Sequence, residues 1–144
     1  MTDDHHVAEI TQQAILFDEN GKVLMLKYAD DTRRWTFPGG RLHTGETPEE
    51  GIRREVREET KLSVSVRLPV YTTAFSYDGE HKFGVAYLCQ LEDSRNVKLS
   101  DEHQKWEWFD PDEITEDHTV SNDHLEALDA AIKVRKGLQG NEQP

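Results

Sequence analysis

Apolar residues concentrate in two early segments, 8–17 and 22–28, and each predicts a β-strand. The residues that join them, 18–21, end in Asn-Gly, which supplies the positive φ angles of a tight hairpin turn. A shorter apolar stretch begins at residue 35 and stops at a Pro-Gly-Gly sequence, as a short strand would. The first third of the chain therefore predicts β-structure.

Two later segments predict helices. The first opens at Thr47, a good N-cap residue, with Pro48 in the first helical position, and we expect it to run to about Thr60. The second covers residues 123–136, where apolar side chains repeat at helical spacing, and Gly137 is placed to end it.

Between these helices the chain again predicts strands. Residues 62–77 and 82–91 are predicted to be extended. Pro69 indicates that part of segment 62–77 lies at a sheet edge or in a bulge. Residues 106–109 alternate polar and aromatic side chains, as a half-buried strand does. Two helices cannot cover separate parallel crossovers, so the expected fold class is α/β of the α+β type, a mixed sheet between helices.

Length and composition narrow the classes of protein. The 144 residues fit one domain, 1–144, in which 1–6 and 138–144 are expected to be flexible tails. No apolar run approaches membrane-spanning length, and a net charge of −12 argues against a nucleic-acid polymer as partner. The single cysteine, Cys89, lies in an apolar run and is expected to be a buried structural thiol, which suits a reducing cytoplasm.

The first predicted helix carries an unusual arrangement of acidic residues. Glu59 falls seven positions after Ile52, so it lies nearly on the buried face, and Glu55 and Glu58 flank it. Carboxylates held this close repel one another, and hard divalent cations prefer such oxygen ligands. The alternative is an ordinary exposed face on which Arg54 forms ion pairs four residues apart.

The same stretch resembles the Nudix box, with a lysine at position 61 where the motif has its last glycine. The matching residues are Gly40, Glu46, Arg54, Glu55, Val56, Glu58, Glu59 and Leu62. The resemblance implies the Nudix α/β/α sandwich with a mixed β-sheet between helices. If the helix exit keeps a left-handed turn, lysine there costs roughly 1 kcal/mol.

The resemblance also implies a reaction, the Mg2+-dependent hydrolysis of a diphosphate bond in a nucleoside diphosphate derivative, with Mn2+ as a possible substitute. The metal ligands it implies are Gly39, through its carbonyl, and Glu55, Glu58 and Glu59. Arg54 would hold these glutamates in place, and Glu46 would have a structural role. The general base is either Glu102 or one of the helix glutamates, Glu58 or Glu59.

The substrate is less constrained than the reaction. Arg33 and Arg34 are candidate phosphate contacts, and Trp35 and Tyr77 are aromatic residues that could meet a base. A nucleoside triphosphate or related nucleotide ranks first, before ADP-ribose or another nucleotide sugar and dinucleoside polyphosphates. The rivals are a non-catalytic Nudix-like binding domain and a calcium-binding structural protein, whose D-x-D-x-D-G loop is not in the sequence. A homodimer is a further expectation from the family.

Overall fold

A computed structural model of the chain describes residues 4–29, 34–118 and 121–142. Within them, one sheet contains β1 (Glu9–Phe17), β2 (Val23–Tyr28), β3 (Trp35–Thr36), β4 (Gly39–Arg41), β5 (Val64–Tyr77), β6 (Glu80–Leu91) and β7 (His103–Phe109). The helices are α1 (Pro48–Thr60) and α2 (Asn122–Glu142), with a short 3-10 helix at Pro111–Glu113. The predicted order of strands and helices is confirmed.

The sheet is mixed, as predicted. Its main path runs β3-β2-β1-β6-β5, while β4 pairs with β1 and β7 pairs with β2. Only the β1–β6 pair is parallel among these described strands, and it aligns Ile10 with Phe83. Strand β5 lies at the edge, and its register shifts on either side of Pro69, between Val66 and Leu68 and between Pro69 and Tyr71. A proline without an N–H is tolerated at such an irregular edge.

A hydrophobic core lies on each face of the sheet because successive strand residues point to opposite sides. The core beneath α1 includes Ala14, Leu16, Ile52, Val56, Cys89 and Trp108. The core beneath α2 includes Ile15, Phe17, Leu88, Phe109, Ala127 and Leu128. This division confirms the α/β/α sandwich, and it places the neighbours Trp108 and Phe109 on opposite faces.

Cys89 is fully buried, as the sequence indicated. Burial raises the pKa of its thiol to about 12, so the sulfur stays protonated and unreactive at neutral pH. The side chain therefore acts as a small apolar group in the core beneath α1.

Helix α1 has the N-cap that the sequence predicted, and its C-terminal end is capped as well. The Thr47 hydroxyl accepts a hydrogen bond from the Glu50 N–H at 3.2 Å. At the other end Lys61 is left-handed, with φ 64° and ψ 15°, and its N–H bonds the Arg57 carbonyl. The helix exit therefore keeps the left-handed turn for which the motif has a glycine, although this chain has a lysine there.

The predicted end of α2 is wrong. The helix continues through Gly137 to Glu142, so it includes residues 138–142, which the sequence assigned to a flexible tail. Nothing lies within 4 Å of a side chain added at Gly137, and backbone hydrogen bonding carries the helix past a residue of low helix propensity. Helix α2 has 21 residues. No helix in the described part of the chain is both long and apolar enough to cross a membrane.

Replacing Lys61 tests the cost of this left-handed residue. Lys61→Gly should raise the free energy of unfolding by about 1 kcal/mol, because glycine has no Cβ to strain the conformation. Lys61→Ala is the matched control, since it removes the charge and the long side chain but keeps the Cβ. Denaturant unfolding that gives the two variants equal stability would show that the conformation is not the cause.

Candidate active site

Arg54 lies at the centre of a group of carboxylates. Its guanidinium donates to both oxygens of Glu46, at 2.6 and 3.0 Å. It also donates to Glu55 at 2.9 Å, to Glu58 at 3.2 Å and to the carbonyl oxygen of Arg41 at 3.0 Å. One guanidinium thus fixes three side chains and ties α1 to the end of β4, which is the role that the resemblance implied for Arg54.

Glu46 is the strongest partner of this arginine. Its carboxylate also accepts a hydrogen bond from the His43 N–H at 2.8 Å, which fixes the loop before α1. The Arg54 hydrogen bonds and the His43 N–H lower the pKa of Glu46 to about 2. Glu46 therefore stays ionised and holds Arg54 in place, consistent with the structural role expected for it.

Glu59 lies deeper than the other helix glutamates, with 5% of its surface exposed. It accepts a hydrogen bond from the Gly39 N–H at 3.0 Å, which ties α1 to β4. Burial raises the pKa of Glu59 to about 8; the Gly39 bond opposes this rise, while Glu55, Glu102 and Glu58 add to it. Burial also raises the pKa of Glu55, against the effect of Arg54.

Gly39 and Gly40, at the start of the motif, both pack closely against neighbouring atoms. A Cβ on Gly40 would lie 2.5 Å from the Glu55 carboxyl group, so only glycine leaves room for that side chain. A Cβ on Gly39 would lie 2.1 Å from the carbonyl oxygen of Gln12, in the neighbouring strand β1. Strand packing therefore requires glycine at position 39.

The loop before β7 brings a fourth carboxylate to the cluster. The Ser100 N–H bonds the Glu59 carbonyl at 3.3 Å, and the Lys98 N–H bonds the Thr60 carbonyl at 3.0 Å. As a result, ligand atoms of Glu59, Glu102 and His103 lie within 4.8 Å of one another. The His103 side chain is buried and its Nδ1 has no hydrogen-bond partner among the described residues.

This donor set fits a divalent cation. Burial and the neighbouring carboxylates of Glu55, Glu58 and Glu102 raise the pKa of Glu59. Of these four carboxylates, Arg54 donates only to those of Glu55 and Glu58. Carboxylate oxygens are the ligands that Mg2+ and Mn2+ prefer, and the remaining negative charge needs a counter-ion. The residues Glu55, Glu58 and Glu59 are thus available to hold a metal, with Glu102 beside them.

A cleft of about 640 Å³ opens on the α2 face of the sheet. Its wall is partly aromatic and partly polar, formed by residues that include Gln13, Tyr28, Arg34, Tyr71, Phe75, Tyr77, Asp123 and His124. Gln13 is paired in register with Gly39, whose N–H bonds Glu59. The β1–β4 pair therefore connects the cleft with the carboxylate cluster.

The residues predicted to contact substrate lie in different parts of the structure. Arg34 and Tyr77 line the cleft; Arg34 lies over the Tyr28 ring at 5.6 Å, and Tyr77 is 72% exposed. Trp35 instead packs edge-on against Phe109, with the ring centroids 5.3 Å apart. Arg33 lies outside the described residues. A substrate contact for any of these residues stays a prediction.

The polar residues of the cleft were not predicted from the sequence; they include Gln13, Tyr71, Asp123 and His124. One sequence signal was available, since Gln12 and Gln13 interrupt the apolar strand β1. Gln12 is buried and donates to the Pro48 carbonyl at 2.9 Å, on the α1 side. Gln13, on the opposite face, lies in the cleft.

Fold and site together define an α/β/α sandwich with an acidic site on its first helix. A family model described as the NUDIX domain matches residues 10–130. This match covers more than half of the chain, which therefore belongs to the Nudix hydrolase family.

Individual relatives agree with the family. A MutT-like protein from Streptomyces ambofaciens is 32% identical over 108 residues, 74% of this chain and 67% of that protein. An oxidized purine nucleoside triphosphate hydrolase from Danio rerio is 28% identical over 102 residues, 69% of this chain and 65% of that protein. The chain thus spans about two thirds of these relatives.

Solved structures share the fold. The Ap4A hydrolase of C. elegans has a TM-score of 0.79 at 20% identity, covering 90% of this chain and 99% of that one. The MutT protein of Methanosarcina mazei Go1 has a TM-score of 0.76 at 23% identity, covering 90% of this chain and 96% of that one.

Removing the guanidinium of Arg54 should weaken metal binding although Arg54 itself binds no metal. Arg54→Gln frees Glu46, Glu55 and Glu58, so we expect Mg2+ affinity to fall about 10–100-fold by calorimetric titration. Arg53→Gln is the matched control, because Arg53 is exposed and pairs with Glu49 at 3.0 Å on the same helix. Equal affinities of the two variants would contradict the organising role of Arg54.

Proposed function

We propose that the chain hydrolyses a diphosphate bond in a nucleoside diphosphate derivative with Mg2+ as cofactor, and that a nucleoside triphosphate or related nucleotide is the substrate. The observation that carries this proposal is the group of carboxylates around Glu59, organised by Arg54 and left with excess negative charge. Such a group is unstable without a cation, and a diphosphate is the substrate that such a cation would bind.

Glu55, Glu58 and Glu59 would hold the ion, together with the Gly39 carbonyl, and Mn2+ could replace Mg2+. The ion would neutralise phosphate charge and lower the pKa of the attacking water. The chain's own contribution is to fix the ligands before substrate arrives: Arg54 orients Glu55 and Glu58, and the Gly39 N–H orients Glu59.

Glu102 is the carboxylate that we propose as general base. It is exposed, so it can reach a water molecule, and the loop contacts hold it within 4.8 Å of Glu59. A base in this position would accept a proton from the water as it attacks phosphorus. Glu58 and Glu59 are the alternatives, although a direct role in holding the ion would occupy their oxygens.

The cleft is suited to the nucleoside part of such a substrate. Phe75 and Tyr77 offer exposed rings that could stack on a base, and Arg34 at the rim could meet phosphate. The relatives named for nucleoside triphosphates support ranking these substrates first. ADP-ribose or another nucleotide sugar and dinucleoside polyphosphates are the alternatives.

A panel of nucleoside triphosphates, ADP-ribose, nucleotide sugars and Ap4A tests the proposal. With Mg2+, the protein should release phosphate or pyrophosphate from at least one of these compounds, and chelation of the metal should stop the reaction. Glu58→Gln and Glu59→Gln should each lower the rate by orders of magnitude with the fold retained, because each removes a ligand charge.

Glu50→Gln is the control for loss of a carboxylate on α1. Glu50 is exposed, and within the described part of the chain its side chain makes no hydrogen bond to the carboxylate cluster. Its rate should match that of the wild type. A wild-type protein that is inert across the panel with both Mg2+ and Mn2+ would favour a non-catalytic nucleotide-binding domain instead.

A further inference from the structure

A second group of ligand atoms lies beside the glutamates of α1, and it includes a nitrogen. Ligand atoms of Glu59, Glu102 and His103 lie within 4.8 Å of one another. Glu59 belongs to α1, whereas Glu102 directly precedes β7 and His103 begins that strand. The imidazole is therefore a different kind of ligand from the oxygens that would hold Mg2+.

The histidine of this group is buried without a hydrogen bond that explains its burial. His103 is 7% exposed, and its Nδ1 has no hydrogen-bond partner among the described residues. An unpaired polar nitrogen destabilises a folded protein, so buried groups of this kind are usually bonded to protein, water or an ion. A ligand bound at the ring would account for a polar side chain in this position.

Neighbouring residues fix the positions of these ligand groups. The imidazole stacks on Tyr28, its register partner in β2, with ring centroids 5.4 Å apart and an angle of 27° between the planes. The Ala29 N–H bonds the Glu102 carbonyl at 3.1 Å, and the Gly39 N–H holds the Glu59 carboxylate at 3.0 Å. The ligands are thus oriented by the fold itself, as in a built metal site.

The combination of imidazole and carboxylate selects a class of ion. Mg2+ is a hard ion that takes oxygen ligands, whereas transition-metal ions such as Mn2+, Co2+ and Zn2+ also accept imidazole. A nitrogen or oxygen ligand lies about 2.1 Å from such an ion. Two ligand atoms separated by up to 4.8 Å can therefore share one ion between them.

We propose that Glu59, Glu102 and His103 form a second cation site, which takes a transition-metal ion in preference to Mg2+. It shares Glu59 with the proposed Mg2+ site and adds a nitrogen ligand that the Mg2+ site lacks. Because a carboxylate has two oxygens, Glu102 can give one to the ion and keep the other for its proposed role as base. The inference rests on the carboxylate group of the proposed function, but its test measures metal binding without turnover.

Mn2+ is the probe, because its electron spin echo envelope modulation reports a directly bound imidazole nitrogen. The whole chain is saturated with Mn2+ at pH 7.5 and freed of unbound ion, and the wild type should show this nitrogen signal. His103→Phe should remove it, since phenylalanine keeps a ring that can stack on Tyr28 but offers no ligand. His43→Phe is the matched control and should keep it, because His43 is exposed and lies beside Glu46, with its Nδ1 4.0 Å from that carboxylate.

Affinity is the second readout. Loss of a group that merely supports a ligand lowers metal affinity about 10–100-fold, and we expect His103→Phe to lower Mn2+ affinity by at least as much in calorimetric titration. Mg2+ affinity should stay nearly unchanged, because the oxygen ligands remain. His103→Gln should recover Mn2+ binding through its carboxamide oxygen without recovering the nitrogen signal.

Bound Mn2+ without a nitrogen signal in the wild type would overturn the inference, and so would a signal that His103→Phe retains or that His43→Phe removes. Thermal unfolding checks each variant, and if His103→Phe does not fold, loss of the signal in folded His103→Gln decides the question. These outcomes leave the proposed Mg2+ site and the hydrolysis standing. Absence of bound Mn2+ from the wild type rejects both the nitrogen site and the proposed metal-dependent function.

Discussion

The pairing of Arg54 with carboxylates is the interaction on which the site depends. Its guanidinium joins Glu46, Glu55 and Glu58 and reaches the Arg41 carbonyl, so one side chain links the loop, the helix and β4. Bidentate pairing fixes orientation as well as charge, which a flexible lysine could not do. The acidic helix is held in one geometry even though its charges repel.

Arg54 does not neutralise the whole cluster. Glu59 lies beyond its reach, bonded to the Gly39 N–H and surrounded by the other carboxylates, and burial raises its pKa to about 8. The remaining charge is what makes a divalent cation the natural partner of this site. Stability and function are therefore opposed here, since a helix selected only for stability would not bury an acid at this position.

Local sequence predicted much of this arrangement. Thr47 and Pro48 predicted the start of α1, and the resemblance of residues 40–62 to the Nudix box implied the role of Arg54; both features depend on residues close in the chain. Glu102, a candidate base from the sequence, has a ligand atom within 4.8 Å of one of Glu59. Its role as a base is still a prediction, because geometry in the free protein does not establish a proton transfer.

The cleft could not be predicted in the same way. Gln13 and His124 are 111 residues apart in sequence, and the packing of α2 against β1 brings them together. The end of α2 was missed for another reason, since the low helix propensity of Gly137 was outweighed by the rest of the helix. Trp35 illustrates a third limit, because a short apolar stretch predicts a strand but not which neighbour covers its ring.

Direct observation of metal binding tests the central claim most simply. Wild-type protein at pH 7.5 can be titrated with Mn2+, and free and bound ion distinguished by electron paramagnetic resonance. The account predicts at least one ion bound per chain, displaced by excess Mg2+ and lost in the Glu59→Gln variant. A spectrum in which all of the Mn2+ remains free, at protein concentrations in the hundreds of micromolar, would contradict it.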